Sequence, residues 1–118
     1  MGRYQASVAE LESNYVVPQD NGNRCDLRWL TLTDDTGKGI RISSEQPFCF
    51  RAWDYDESDI DARPRHPHEV QRHDYINLNI DGEIHGVGGN DSWGARTIDK
   101  YTIDGNTPRR LEILLEIK

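Results

Sequence analysis

Hydrophobic and polar residues alternate with a period of two along much of the chain. In Tyr75–Asp81, Ile76, Leu78 and Ile80 face one way, and Asn77, Asn79 and Asp81 the other. Such alternation predicts a half-buried strand, closed here by Gly82. Leu111, Ile113, Leu115 and Ile117 alternate in the same manner with Glu112, Leu114, Glu116 and Lys118. Further strand candidates are Arg3–Glu10, Leu27–Thr33, Gly39–Ser43, Phe48–Trp53 and Tyr101–Asp104. Turn signals at Pro18–Gly22, Asp34–Gly37 and Gly105–Pro108 separate them. Short strands with frequent turns predict an all-β, antiparallel β-sandwich. One segment breaks the period. Ser58–Arg63 follows the acidic run Asp54–Glu57, and Ser58 or Asp56 can cap a single helical turn whose N-terminus the acids favour. Pro64 and Pro67 then stop it, so at most one or two short helical turns are expected.

Composition narrows the picture. The chain has 118 residues, enough for one domain, read here as spanning 1–118. Leu, Ile, Val and Phe together supply 25 of them, just above the level at which a chain stays disordered. The core is therefore thin, as in a piece that leans on something larger. The net charge of −7 repels phosphate backbones and argues against nucleic acid as a partner. No apolar run approaches the length of a membrane span, and the N-terminus has no apolar signal core. Cys25 and Cys49 allow one disulfide at most and leave its formation open.

Candidate chemistry concentrates in GVGGNDSWG, Gly86–Gly94. A phosphate loop would need a helix after the glycines, and nothing helical follows Trp93-Gly94. What remains is a turned loop presenting Asn90, Asp91, Ser92 and Trp93. An indole beside short polar side chains suits a sugar: the ring covers an apolar C–H face, and the polar groups reach hydroxyls. The competing reading puts Trp93 in a core corner, which is the commoner fate of a Trp in a β domain. Trp29 and Trp53 lie inside strand patterns and are expected in the core. In PQDNGNR, Pro18–Arg24, the residues Asp20, Asn23 and Arg24 could line a polar rim around a turn. His66-Pro67-His68 shares a face if extended but lacks further ligands in sequence, so no metal site is assigned in this chain. No nucleophile motif appears, and the acids of Asp54–Glu57 have a sufficient helix-capping role.

These strings carry a family resemblance. GRYQASVAELESNYVVPQDNGNRCDLRWLTLTDDTGKG, YINLNIDG and GVGGNDSWG, in this order over Gly2 to about Tyr101, resemble the C-terminal small-chain domain of bacterial β-galactosidases of glycoside hydrolase family 2. The resemblance implies part of a large antiparallel β-sandwich packed beside a catalytic barrel, within a multidomain polypeptide. It implies a parent that cleaves terminal β-galactosides such as lactose with retention, using two barrel glutamates. Magnesium and sodium are implied for that catalytic domain, and no cofactor for this chain. Trp93 matches the tryptophan that reaches the barrel mouth as a platform for substrate sugar. Asp91 and Ser92 match the same loop, and Asn90 stands where the family carries Asp. Asp20 replaces a usual Glu, and His85 an apolar residue; His66 and His68 receive no role. The chain starts mid-domain by this comparison, as an excised, inactive piece whose exposed strand edges favour self-association. Its implied partners are the barrel, the parent's other domains and a galactoside, in a cytoplasmic parent. The alternatives are a free-standing weak carbohydrate-binding module and a purely structural sandwich.

Overall fold

The computed structural model describes residues 2–13, 21–61, 66–87 and 93–118. Within them the fold is all-β with short helical turns. Strands β1 (Arg24–Thr33), β2 (Gly39–Trp53), β3 (Asn77–Asp81) and β4 (Leu114–Ile117) form one antiparallel four-stranded sheet. The order is β1-β2-β3, and β4 pairs with β2 as well. Helical turns are α1 (Val8–Leu11), α2 (Glu57–Asp61) and two 3-10 turns, Pro67–Glu69 and Asp99–Tyr101. No described helix is long and apolar enough to cross a membrane.

The chain divides into two compact units. One comprises residues 26–49 and 81–118. Its hairpin turn is organised by Asp34, whose Oδ1 accepts from the Thr36 N–H at 2.8 Å, the Thr36 hydroxyl at 2.7 Å and the Lys38 N–H at 3.0 Å. These bonds hold the Asp34 carboxyl below the usual carboxylate range, the Thr36 hydroxyl contributing most. Gly37 takes a φ of +83°, where a side chain is strained. The register of β2 on β4 pairs Ile40 with Ile117, Arg41 with Glu116, Ile42 with Leu115 and Ser43 with Leu114. Arg41 reaches Glu116 at 3.6 Å. Leu30, Ile42, Phe48 and Cys49 are buried.

The other unit comprises residues 1–25 and 50–80. Its core is Trp53, Tyr55 and Val70, with Ile60 packed against them. The Trp53 and Tyr55 rings stack at 4.6 Å, and the Trp53 indole donates to the Asn21 carbonyl at 2.8 Å. Burial is the largest cause raising the Tyr55 phenol to about 12, with the nearby Glu12 charge adding to it.

Several expectations change. Arg3–Glu10 is not a strand: Ser7 and Glu10 form a capping box, Glu10 Oε2 taking the Ser7 N–H at 2.7 Å and Ser7 Oγ the Glu10 N–H at 3.3 Å. Gly39–Ser43 and Phe48–Trp53 merge into one strand. Ser44 and Gln46 do not break it, because Ser44 Oγ donates to the Glu112 carbonyl and accepts from the Gln46 N–H. Tyr101–Asp104 is a 3-10 turn and loop rather than a strand. Trp29 is 39% exposed beneath the Arg41 guanidinium, so it lies on the sheet surface and not in the core. Cys25 is exposed and Cys49 is buried. The helical turn near Ser58–Arg63 is α2, starting one residue earlier.

Candidate functional site

Two places gather chemistry, one in each unit. The first is the loop after β3. Gly86 forms its neck: the Gly86 N–H donates to the Tyr101 carbonyl at 2.8 Å, and the Thr97 hydroxyl donates to the Gly86 carbonyl at 2.6 Å. A Cβ on Gly86 would lie 2.7 Å from Tyr101 Cβ and 3.0 Å from Thr97 Cγ2. Only glycine lets the two stems close this tightly. Beside the neck, His85 Nδ1 accepts the Ile103 N–H at 3.1 Å. Gly94 has a φ of +101°. Between these points Trp93 is 93% exposed. Asn90, Asp91 and Ser92 lie outside the described residues, as does Asp20 of the second polar segment. Of that segment, Asn21 is bonded twice to the Ser13 backbone, at 2.8 and 2.6 Å, and Arg24 donates to the neighbouring Asn23 carbonyl.

The second place is the approach to and start of α2. Asp56, Asp59 and His73 each offer one donor atom, and these atoms all lie within 4.8 Å of one another. His73 Nε2 is 2.9 Å from Asp59 Oδ2. The Asp56 N–H also donates to Asp59 Oδ2, at 2.8 Å. This bond, and then His73, holds the Asp59 carboxyl below its usual range. An ionised Asp59 accepts, so His73 Nε2 carries the proton. The Asp56 carboxylate does not cap α2; it accepts from the Tyr75 hydroxyl at 2.6 Å and the Asn77 amide at 3.0 Å. The bond to Asp56 is the largest cause raising the Tyr75 phenol to about 12, and the charges of Asp56, Asp59 and Asp74 reinforce it. These three side chains are the metal donors that converge among the described residues. Spacing alone did not show it: Asp56 and Asp59 were legible as acids of a helical turn, but His73 arrives from the segment before β3. His66 and His68 stack face to face, with ring centres 5.4 Å apart.

Residues 1–115 match the family described as the β-galactosidase small chain. The chain belongs to the β-galactosidase small-chain family. Its relatives include β-galactosidases of Halalkalibacterium halodurans, 33% identical over 97% of this chain, and Streptococcus thermophilus, 30% identical over 98%. A β-galactosidase of Vibrio cholerae is 37% identical over 87% of it. The chain spans only 11%, 11% and 9% of those relatives, so a β-galactosidase small-chain domain is one part of a much longer enzyme.

Proposed function

We propose that this small-chain domain performs no bond cleavage itself and supplies Trp93 to the substrate pocket of a β-galactosidase. The observation that carries the reading is the indole of Trp93, 93% exposed. An apolar ring held outward has little to gain from water and can cover the C–H face of a pyranose. Asn90, Asp91 and Ser92 flank it in sequence with hydroxyl-bonding groups. Retaining cleavage needs two carboxyls flanking the glycosidic bond, roughly 5–5.5 Å apart. Asp56 and Asp59 are close, but hydrogen bonds from Tyr75, Asn77, His73 and a backbone N–H engage them. The catalytic carboxyls, and the magnesium and sodium implied by the family, are assigned to the barrel of the parent.

The test is Trp93→Ala in the complete β-galactosidase. KM for a β-galactoside rises at least ~10-fold, the loss of about 1.4 kcal/mol of sugar contact, while kcat falls less. The 118-residue chain alone leaves a chromogenic β-galactoside intact. An unchanged KM in the variant, or turnover by the isolated chain free of host enzyme, would overturn the assignment.

A further inference from the structure

We propose that Asp56, Asp59 and His73 bind one divalent transition-metal cation of the zinc and manganese class. The donor set is two carboxylate oxygens and one imidazole nitrogen. Imidazole suits zinc and its first-row neighbours, and carboxylates suit manganese equally; calcium and magnesium seldom take nitrogen. The three donors come from different places in the chain: the residue before α2, α2 itself and the segment entering β3. A cation about 2.1 Å from each donor requires neighbouring donors about 3.0 Å apart on an octahedral edge, and about 4.2 Å apart when opposite. Asp59 Oδ2 and His73 Nε2 already stand at 2.9 Å, and the whole set lies within 4.8 Å. Small side-chain rotations close the remainder.

The ligands are also held by a surrounding shell, as metal ligands need to be. Tyr75 and Asn77 donate to the two oxygens of Asp56, leaving each a further lone pair. The His73 backbone N–H donates to the Asp54 carbonyl at 2.7 Å, anchoring the segment, and its ring stacks on Tyr75 at 4.8 Å. The neighbouring guanidiniums meet other carboxylates: Arg51 pairs with Glu57, and Arg72 with Glu12 and Asp54. The carboxylates of Asp56 and Asp59 put negative charge at the same spot, which attracts a cation. On binding, the Nε2 proton passes to solvent and the cation takes its place between Nε2 and Oδ2. Water fills the remaining coordination positions. The bound cation then clips α2 to the approach of β3, independently of any role of Trp93.

Chelator-treated full chain is titrated calorimetrically with Zn2+ and separately with Mn2+, and Co2+ absorption reports the ligand type. Expected are saturable one-to-one binding, a raised thermal midpoint with Zn2+, and at least ~10-fold weaker binding in His73→Gln and Asp59→Asn. Asp56→Asn gives the same loss, so the result does not rest on one variant remaining folded; far-ultraviolet spectra check each. The double variant His66→Gln, His68→Gln keeps full affinity. No saturable binding at millimolar free metal overturns the proposal and leaves Asp59 and His73 as an ion pair only. Binding that survives His73→Gln and Asp59→Asn, or that disappears with the His66 and His68 changes, overturns it equally.

Discussion

At the residue scale, the side chains a glycine lacks decide where strands can meet. A Cβ on Gly39 would lie 2.0 Å from the Leu32 carbonyl oxygen and 2.8 Å from Thr33 Cα. The same residue exchanges both backbone bonds with Lys118, at 3.1 and 2.7 Å. Gly39 thus stands tight against β1 while its backbone pairs beyond the end of β4, and backbone on both sides cannot give way. Gly39→Ala should cost about 1–3 kcal/mol, the usual range for forcing extra volume into a packed place. Gly105→Ala has nothing within 4 Å and should stay within about 0.5 kcal/mol of the parent. Urea midpoints of the two variants measure the contrast; equal midpoints would remove the steric argument. Asp26 is the one described non-glycine residue at positive φ, +62°, inside β1. Neither Gly39 nor Asp26 could be read from hydropathy, since close approach is a property of two segments and hydropathy of one.

At the element scale, short helical turns and turns are organised by side chains more than by packing. Arg72 shows the pattern. Its two terminal nitrogens meet the two Glu12 oxygens at 2.7 and 2.9 Å, one also meets Asp54 at 2.5 Å, and the guanidinium lies over Tyr55. Lysine cannot reproduce that fork. Arg72→Lys should therefore release α1 nearly as fully as Arg72→Ala. Partial exposure of the pair keeps the stability loss to about 1 kcal/mol. Amide exchange at Val8–Leu11 should quicken in both variants, and protection retained in Arg72→Lys would refute the fork. Carboxylates at Glu10, Asp34 and Asp104 are all held below their ordinary values. The Ser7 backbone N–H, the Thr36 hydroxyl and the Thr107 hydroxyl are the respective main causes. A lowered folded-state value stabilises above the unfolded value and is lost as pH falls through the folded one. Stability should thus hold between pH 7 and about 5 and decline below about 4. The decline should be shallower in Asp34→Asn, Asp104→Asn, measured as urea midpoints against pH. The turn signals at Asp34–Gly37 and near Asp104 were legible because an Asx turn is local. The capping box Ser7–Glu10 is equally local, yet the pattern of the residues around it points to a strand.

At the scale of the whole molecule, the apolar side of β4 has no second layer among the described residues. Ile113 is 47% exposed, Leu115 58% and Ile117 90%, and Leu114 on the opposite face is 61% exposed. Apolar positions in such a row favour pairing with another chain. The isolated chain should self-associate at high concentration, and Leu115→Lys with Ile117→Lys should return it to a monomer in sedimentation. A parent chain that stays monomeric at millimolar concentration would count against this. What the sequence by itself determined was the all-β class, the turns at Asp34–Gly37 and after Asp104, the helical turn near Ser58 and the family, because each resides in contiguous residues whose period, capping or word order is local. Only the tertiary structure decided that two predicted strands are one, that Trp29 lies at the surface while Trp53 is buried, and that His73 meets Asp56 and Asp59. Those outcomes depend on which distant segments compete for the same space and the same hydrogen bonds, and a one-dimensional pattern carries no record of that competition.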